Sequence, residues 1–403
     1  MRRPLLRALL CVAALALLGF SPGPLDLASR AHADGGAAPA APAAPTTAPA
    51  PAPRDVSALL AGPLERHAVP ALCAAVVRKG RVVATGVAGL RVKGAPEKAT
   101  IDDLWHLGSC TKSMTATLCA RLVEDGKLRF TTTLGQVFPE RAAKMAKGWQ
   151  DVTLEELLTH RSGAPTDLSR DGLWGRLWAH TGSPTEMRLA LLDGVTAHEP
   201  EQAPGSKYVY SNAGFSMAGA MAERVTGKAW EDLIEARLFQ PLGITTAGFG
   251  APGHANAHDE PWGHRVDGTP VAPGPGADNP RAIGPAGIVH MSILDWAKYV
   301  GLHLEAGEGK PRLLSAASFA TLQTPPKGFE YAMGWIRTSR PWGGGEVLTH
   351  NGSNTMWFCV TWIAPKADLA VLVCSNRGGD EAAKATDEVA SALIGDALAH
   401  PDK

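Results

Sequence analysis

The chain has 403 residues, of which 45% are hydrophobic and 19% are charged, values that are ordinary for a globular protein. Lys plus Arg and Asp plus Glu both number 39, so the formal net charge is zero. This balance excludes the strong basic field of a nucleic-acid-binding protein. The length is sufficient for one large domain or two smaller ones.

The N-terminal residues have the pattern of an export signal. A positive start at Arg2 and Arg3 precedes an almost uninterrupted apolar run over residues 8–20, and Ala-His-Ala at 31–33 fits a cleavage site between small residues. The run is too short to cross a bilayer comfortably as a helix, which needs about 20 residues. We therefore predict a signal peptide over residues 1–33 and an exported protein, periplasmic or extracellular. The alternative is an uncleaved N-terminal anchor.

A segment dense in Ala and Pro follows the predicted signal. Residues 35–53 consist almost entirely of Ala, Pro, Thr and Gly. Such a composition cannot bury a core, and it predicts a disordered linker over residues 34–54. The folded domain is therefore predicted to span residues 55–403.

Five of the six cysteines lie in the predicted folded domain. An exported protein can form disulfides. Their number is odd, however, and they lie in apolar segments, so the sequence favours buried free thiols over a disulfide framework and leaves a single bridge open. The five are Cys73, Cys110, Cys119, Cys359 and Cys374.

In chain order, the hydrophobic patterns predict strands, then helices, then strands again. Residues 71–85 predict a β-hairpin around Lys79 and Gly80. Helical spacing, with a capping box at Thr153, predicts helices over residues 109–122, 153–158, 213–226, 230–238, 292–304, 315–322 and 381–398. β-Rich segments predict strands over residues 333–338, 346–350, 355–363 and 369–375.

The order of these elements predicts one mixed α/β (α+β) domain. Strands near both chain ends predict a sheet subdomain formed by about 55–105 and 284–403. A mostly helical subdomain, about 106–283, is inserted between them. Residues 250–287, around the end of this subdomain, are dense in Gly, Pro and His and predict a long loop, which inside a domain is often functional.

Four side chains of this loop raise an alternative function. His254, His258, Asp259 and His264 are residue types that bind metals, but their spacing fixes no coordination geometry. We therefore predict no metal site and no cofactor.

A first chemical motif is Ser109-Cys110-Thr111-Lys112. A serine and a lysine three residues apart at a helix start lie on one face, so the amine can approach the hydroxyl. A serine hydroxyl needs such a base, and lysine can act as one once desolvation lowers its pKa. Alone the pattern is weak, because average residue usage produces it about once in a chain of this length. The alternative interpretation is a helix-capping serine with a surface lysine.

A second motif, Tyr210-Ser211-Asn212, follows a turn-like Ala-Pro-Gly at 203–205. A tyrosine near a lysine can relay a proton. The asparagine amide can accept a hydrogen bond from the lysine and donate one to a substrate carbonyl. Alone, this tripeptide is more often a loop that begins a helix.

A third motif, His350-Asn351-Gly352-Ser353, lies between an apparent strand at 346–349 and the next strand. Glycine lets a substrate backbone approach closely. The N–H of Ser353, beside that of the motif serine, can stabilise a developing oxyanion, a contribution of roughly 3 kcal/mol. The alternative is a hairpin turn with an exposed histidine.

In this order the three motifs resemble the active-site set of the serine β-lactamase/penicillin-binding protein superfamily, S-x-x-K, Y-x-N and K/H-x-G. Further segments resemble those of the family: W-H-L-G-S at 105–109, L-L-T-H-R-S-G at 157–163, G-P-A-G at 284–287 and Y-A-M-G-W at 331–335. The resemblance runs from about residue 56 to 394. The Y-x-N form is similar to the branch that contains class C β-lactamases, related esterases, D-aminopeptidases and certain DD-carboxypeptidases.

The resemblance implies a DD-peptidase/β-lactamase-like fold with an antiparallel sheet. It implies that Ser109 attacks a carbonyl while Lys112 and Tyr210 share proton transfer, and leaves open which of the two is the main base. It implies that Asn212 orients the substrate and that the N–H groups of Ser109 and Ser353 bind the oxyanion. The expected partner is a small-molecule or peptide substrate, such as a peptidoglycan stem peptide or an ester, and the protein is expected to be a monomer.

One position departs from the β-lactamase pattern. His350 stands where those enzymes usually carry a lysine that helps to hold the substrate carboxylate. Histidine is mostly neutral near pH 7, so a fixed cation is missing beside Gly352. This favours a DD-carboxypeptidase, D-aminopeptidase or esterase. The alternatives are a true class C-like β-lactamase and a non-catalytic or slowly deacylating penicillin-binding sensor.

Overall fold

The computed structural model describes residues 51–401. The predicted signal peptide and most of the predicted linker lie outside the described residues. Regular structure begins at Arg54, the last residue of the predicted linker. Within 51–401, no helix combines the length and the apolarity that a membrane crossing requires.

Within residues 51–401, twelve strands form three sheets. In chain order they are β1 (Arg54–Asp55), β2 (Ala71–Arg78), β3 (Arg81–Gly89), β4 (Leu104–His106), β5 (Gly248–Phe249), β6 (Gly263–His264), β7 (Pro270–Val271), β8 (Val289–Ser292), β9 (Ile336–Arg340), β10 (Gly345–Ser353), β11 (Phe358–Ala364) and β12 (Leu369–Ser375).

The large sheet has seven strands in the order β1-β3-β2-β12-β11-β10-β9. All neighbours are antiparallel except β1, which runs parallel to β3. The pairing of β2 with β12 joins the N-terminal hairpin to the C-terminal strands, with Leu72 opposite Ser375. The prediction of one antiparallel sheet built from both chain ends is therefore confirmed, and the predicted hairpin is β2–β3.

Helices cover both faces of this sheet and fill the inserted region. They are α1 (Ala58–Arg66), α2 (Thr111–Glu124), α3 (Leu134–Val137), α4 (Pro139–Ala142), α5 (Leu154–Leu158), α6 (Leu173–Ala179), α7 (Pro184–Thr196), α8 (Asn212–Thr226), α9 (Trp230–Ile234), α10 (Gly284–Gly287), α11 (Ile293–Gly307), α12 (Ala316–Gln323) and α13 (Asp380–Ala399). Helix α9 continues as a π-helical segment, Glu235–Phe239.

Two apolar cores lie on opposite faces of the sheet. One contains residues of α1 and α13, and the other contains α11 and the inserted helices. Every residue of β2 and of β12 is buried, because these central strands are covered on both sides. Their uninterrupted apolar sequences follow from that position.

Several predicted boundaries change. The nucleophile motif begins with a 3₁₀ turn, Gly108–Cys110, and α2 starts only at Thr111. The third motif is not a turn, because β10 extends through Ser353. The strand predicted from residue 333 begins at Ile336.

Other elements were not predicted. Helix α7 begins at a Ser183 capping box, in which the Ser183 hydroxyl accepts from the backbone of Glu186. The short strands β4, β8 and β5 form a second sheet. The predicted loop 250–287 is largely irregular and contains the two-residue strands β6 and β7.

Candidate active site

The site forms where the first turn of α2 meets the end of β10. Helix α2 is almost completely buried from Thr111 to Leu122. A Cβ atom on Gly352 of β10 would lie 2.0 Å from the carbonyl oxygen of Leu107 and 2.9 Å from the nitrogen of Cys110. Only glycine allows this contact, which fixes the nucleophile segment against the strand.

Ser109, Lys112 and Tyr210 meet in this place, as the motifs predict. The Lys112 Nζ lies 3.0 Å from the Ser109 Oγ. The Tyr210 hydroxyl donates to the same Oγ at 2.6 Å. The amine also lies 4.7 Å from the centre of the Tyr210 ring. Two side chains from distant stretches of sequence thus contact the Ser109 oxygen atom.

The Lys112 amine has two further partners. It donates to the Asn212 Oδ1 at 2.7 Å and to the Ala286 carbonyl oxygen at 2.8 Å. Both of these oxygens can only accept, so they take two N–H groups. The remaining bonding direction of the Lys112 nitrogen faces the Ser109 hydroxyl. In the ammonium form an N–H lies in this direction, and in the neutral amine the lone pair does.

Burial sets the charge of these groups. The Lys112 side chain is fully buried, and burial lowers its pKa to about 7, against a smaller opposing effect of the Cys110 thiol. A substantial fraction of the amine is therefore neutral near pH 7. Burial raises the pKa of Tyr210, an effect that its hydrogen bond to Ser109 only partly offsets. Tyr210 is therefore a neutral phenol at that pH.

The backbone of Ser353 lies next to the nucleophile segment. Gly108 has φ +47°, and a Cβ atom there would lie 2.4 Å from the nitrogen of Ser353. The N–H of Ser109 lies in the first helical turn, where N–H groups lack intrahelical acceptors. The Ser353 hydroxyl is held away, since it donates to the Trp357 carbonyl oxygen at 2.7 Å. The two backbones are thus adjacent, as an oxyanion site requires.

His350 is buried rather than exposed at a turn. Its Nδ1 contacts the Asn351 carbonyl oxygen, which can only accept, so Nδ1 carries the proton. Its Nε2 then accepts from the Tyr331 hydroxyl at 3.0 Å. Both ring nitrogens are engaged within the protein. Neither ring nitrogen is therefore free to hold a substrate carboxylate.

His160 is a site residue to which the sequence assigned no role. It adopts φ +57°, a conformation that is strained for a non-glycine residue and is often found at functional sites. Its Nδ1 accepts from the Ser211 N–H at 3.1 Å, and its ring lies 4.4 Å from that of Tyr210. Burial, with the charge of Lys112, lowers the pKa of His160 well below its usual value. A neutral His160 thus positions the tyrosine segment.

His106 and Asp278 hold the backbone of the segment that carries Ser109. The His106 Nδ1 accepts from the Gly108 N–H at 3.1 Å, and its Nε2 lies 2.9 Å from the Asp278 Oδ2. Asn354 donates to the other Asp278 oxygen at 3.2 Å. Asp278 belongs to the long loop, so the loop helps to hold Gly108. The lead-in segment at 105–109 signals His106, but nothing in the sequence points to Asp278.

The loop histidines have separate partners. His254 contacts Asp259 at 2.6 Å, whereas His258 contacts Glu97 at 2.9 Å and His264 contacts the Asn376 carbonyl oxygen at 2.7 Å. Over residues 51–401, no group of three His, Cys, Asp or Glu side chains has an arrangement that could hold a metal ion.

A cavity of the loop region lies apart from the reactive serine. Its volume is about 560 Å³, and Phe249 and Asp278 contribute to its lining. Ser109, Lys112 and Tyr210 do not line it. Geometry around the serine, rather than cavity size, therefore locates the reactive centre.

A serine hydroxyl that touches a buried amine and a phenol, on a mixed α/β fold of this kind, defines the protein as a serine hydrolase. The family model described as Beta-lactamase matches residues 56–395. The chain therefore belongs to the beta-lactamase family of serine hydrolases.

Individual relatives agree with this assignment. Penicillin-binding protein 4 of Amycolatopsis lactamdurans is 28% identical over 327 residues, which are 77% of this chain and 82% of that protein. Lovastatin esterase of Penicillium rubens is 30% identical over 171 residues, 39% of this chain and 42% of the esterase. The crystal structure of D-alanine carboxypeptidase AmpC from Burkholderia cenocepacia matches with a TM-score of 0.66 at 22% identity, covering 84% of this chain and 98% of that one. This last likeness confirms the predicted DD-peptidase/β-lactamase-like fold.

Proposed function

We propose that the protein hydrolyses an amide or ester bond through a covalent acyl intermediate on Ser109. The observation that carries this proposal is the convergence on the Ser109 Oγ of the Lys112 amine at 3.0 Å and the Tyr210 hydroxyl at 2.6 Å. A pure binding protein has no need of two proton-transfer groups at one hydroxyl.

The charges favour Lys112 as the base in acylation. The neutral amine accepts the Ser109 proton while Oγ attacks the substrate carbonyl, and the N–H groups of Ser109 and Ser353 stabilise the oxyanion. When the bond to the leaving group breaks, Tyr210 donates its proton to the departing nitrogen or oxygen. The Lys112 ammonium stabilises the resulting phenolate. Asn212 holds the amine and orients the substrate carbonyl.

Deacylation restores every proton. The Tyr210 phenolate takes a proton from water, and the hydroxide attacks the acyl carbonyl. As the intermediate collapses, the Ser109 Oγ leaves and takes the proton of the Lys112 ammonium. The net change is addition of one water molecule across the amide or ester bond.

The proposed substrate is a peptide of the peptidoglycan stem type, cleaved as by a DD-carboxypeptidase or D-aminopeptidase, with small esters as the next class. Similarity to a penicillin-binding protein over 77% of this chain supports an amide of this type. The signal-like N-terminus supports export to the compartment where such peptides occur. The engagement of both His350 nitrogens inside the protein disfavours efficient β-lactam hydrolysis.

The substrate test compares three compounds on the purified protein: an N-acyl peptide ending in D-Ala-D-Ala, p-nitrophenyl acetate and a fluorescent penicillin. We expect release of D-alanine and a mass increase on the Ser109 peptide, with Ser109→Ala inactive on all three. Rapid ester turnover without peptide cleavage indicates an esterase. Rapid turnover of the penicillin indicates a β-lactamase, and a stable label without any turnover indicates a sensor. Equal activity of Ser109→Ala and wild type contradicts the acyl mechanism.

The base is tested by the pH dependence of acylation. Because the neutral Lys112 amine is the reactive form, kcat/KM should rise as pH increases through about 7. Tyr210→Phe should lower the rate by about 10²–10⁴-fold and keep this rising limb. Lys112→Ala should lower the rate and abolish the limb. A limb that disappears in Tyr210→Phe and persists in Lys112→Ala would assign the base to tyrosine instead.

A further inference from the structure

Three of the cysteines form a row across the centre of the large sheet. Cys73 in β2 lies opposite Cys374 in β12, which lies opposite Cys359 in β11. Residues directly opposite one another point to the same face of a sheet. All three side chains belong to the core on the side of the active site.

Cys110 continues this row into the nucleophile segment. The neighbour of Cys359 on β10 is Gly352, which has no side chain. The Cys110 thiol reaches Cys359 there, with the two sulfur atoms 3.6 Å apart. The Cys359 thiol also lies within hydrogen-bond distance of the Leu107 carbonyl oxygen, at 3.2 Å. A thiol pair therefore lies directly behind the reactive serine.

We propose that Cys110 and Cys359 are a redox modification site, and that a reversible disulfide between them switches the hydrolase off. A disulfide bond length is about 2.05 Å, so the sulfur atoms must approach by roughly 1.5 Å. The disulfide itself is independent of the proposed function, whereas the loss of activity rests on Ser109 being the nucleophile.

The contacts around the pair explain why oxidation disturbs the site. Cys110 is the residue after Ser109, and its backbone N–H donates to the Leu107 carbonyl oxygen at 3.1 Å. Gly352 leaves no spare room between this segment and β10, as the 2.0 Å distance from a hypothetical Cβ shows. Drawing the sulfur atoms together therefore displaces the Ser109 backbone or the strand beside it. A displacement of about 1 Å in an active site lowers rates by roughly 100-fold.

Burial determines which oxidant can react. Cys110 is 2% exposed and Cys359 is 0% exposed, so a bulky disulfide such as oxidised glutathione cannot reach either sulfur. Hydrogen peroxide is little larger than water, and the half-buried Ser109 adjoins the pair. We therefore assign peroxide as the oxidant.

The electron balance of the reaction is complete. The Cys110 sulfur attacks one peroxide oxygen, the O–O bond breaks, and the second oxygen leaves as water with the thiol proton. The Cys359 sulfur then attacks the sulfenic acid on Cys110 and expels its hydroxyl, which leaves as water with the Cys359 proton. Two thiols and one peroxide thus give one disulfide and two water molecules.

The surroundings of the pair favour Cys110 as the attacking sulfur. Burial opposes ionisation of Cys110, but its hydrogen bond with Cys359, followed by its interactions with His350 and Lys112, outweighs burial and lowers its pKa to about 6. Burial instead raises the pKa of Cys119, which lies in α2, to about 12. Cys119 is therefore a matched buried control that should stay reduced.

The experiment exposes the purified protein to hydrogen peroxide or to oxidised glutathione and maps disulfides by mass spectrometry of unreduced peptides. We expect a Cys110–Cys359 linked peptide with peroxide only. Hydrolysis of the best substrate should fall at least tenfold as this peptide accumulates and return with dithiothreitol. Cys119→Ala should behave as wild type, whereas Cys359→Ala should lose the reversible inactivation, each variant being compared with its own untreated rate.

Several results would overturn the proposal. Absence of the linked peptide rejects the disulfide. Formation of the linked peptide without any change in the rate of hydrolysis rejects its effect on activity. Equal reversible inactivation of Cys359→Ala and wild type rejects the assigned partner, and peptide mapping of the wild type remains decisive if the variant does not fold. If no substrate is ever turned over, a linked peptide still supports the modification site, and the proposed hydrolysis alone fails.

Discussion

The two faces of the seven-stranded sheet bury different kinds of side chain. The face beneath α1 and α13 is filled by Val, Leu, Ile and Ala residues that have no chemistry to perform. The opposite face carries the candidate active site, and there α2 buries Lys112, Thr115 and Thr117. Burying an amine costs free energy, even with its three oxygen neighbours in place.

This difference indicates how the protein separates stability from reactivity. The α13 face stabilises the sheet by excluding water from apolar surface. The α2 face depends on this rigidity to keep the Lys112 amine buried and partly neutral. In water the same amine would be fully charged. Substitutions on the two faces should therefore have opposite consequences for folding and catalysis.

The largest expected effect is on activity alone. Ser109→Ala should lower kcat/KM by at least about 10⁴-fold, because the nucleophile is lost. The unfolding free energy should change by less than about 1 kcal/mol, since Ser109 is only half-buried and its partners remain. Steady-state kinetics and urea unfolding of the same preparation test both statements. A large loss of stability would show that the two faces are not separable.

The converse substitution lies on α13. Leu393→Ala should lower the unfolding free energy by about 2–5 kcal/mol, because Leu393 is fully buried and its truncation leaves a cavity. Leu398→Ala is the control on the same helix, since Leu398 is 42% exposed and should cost much less. At a temperature where both variants are folded, kcat should match wild type. A changed kcat in Leu393→Ala would show that this face contributes to catalysis.

A substitution at the contact between β10 and the segment that carries Ser109 should lower both stability and activity. Gly352→Ala should lower the unfolding free energy by about 1–3 kcal/mol, because the added methyl group meets the Leu107 carbonyl and the backbone of Cys110. Activity should fall by roughly 100-fold, as the segment that bears Ser109 is displaced. Kinetics and urea unfolding measure the two changes.

The matched control for this junction is Gly395→Ala in α13. A Cβ atom there would meet no heavy atom within 4 Å. Alanine should therefore stabilise the helix by about 0.5–1 kcal/mol and leave activity unchanged. If Gly352→Ala behaved like this control, the close contact between β10 and the nucleophile segment would be disproved.

A further effect concerns the pH dependence of stability. The pKa of Lys112 is about 7 in the folded protein and ordinarily 10.5, so between these values the unfolded chain binds more protons and stability rises with pH. Lys112→Met removes this dependence. Its stability relative to wild type should decrease by at least about 1 kcal/mol from pH 6 to pH 10, as measured by urea unfolding. A constant difference would mean that Lys112 titrates normally.

Much of the fold was predictable because its signals are local. The apolar β-hairpin at 71–85, the capping box at Thr153 and the helix after Tyr210 each depend on residues close in sequence. The strands β4, β5 and β8 have two to four residues and therefore show no periodicity. Helix α7 was not predicted, although the Ser183 capping box that opens it is also a local signal.

The site, too, contains some features with local sequence signals and others that depend on distant residues. The motifs brought Ser109, Lys112 and Tyr210 to attention because the spacing of the first two and the family-like order of all three are visible in the chain. The orientation of His350 depends on a hydroxyl 19 residues away, on Tyr331. The support of the nucleophile by Asp278 depends on a partner 172 residues distant, His106. Such contacts exist only after the chain has folded, so no local pattern encodes them.

The pairing of β2 with β12 has a consequence for how the chain matures. Roughly 300 residues separate Leu72 from its partner Ser375, so the central strands of the sheet cannot meet until nearly the whole polypeptide has been synthesised. The strand that holds the nucleophile, β10, lies in the same late portion. A nascent or truncated chain that ends before β12 therefore lacks the middle of its sheet, and the reactive serine is assembled only in the last stage of biosynthesis.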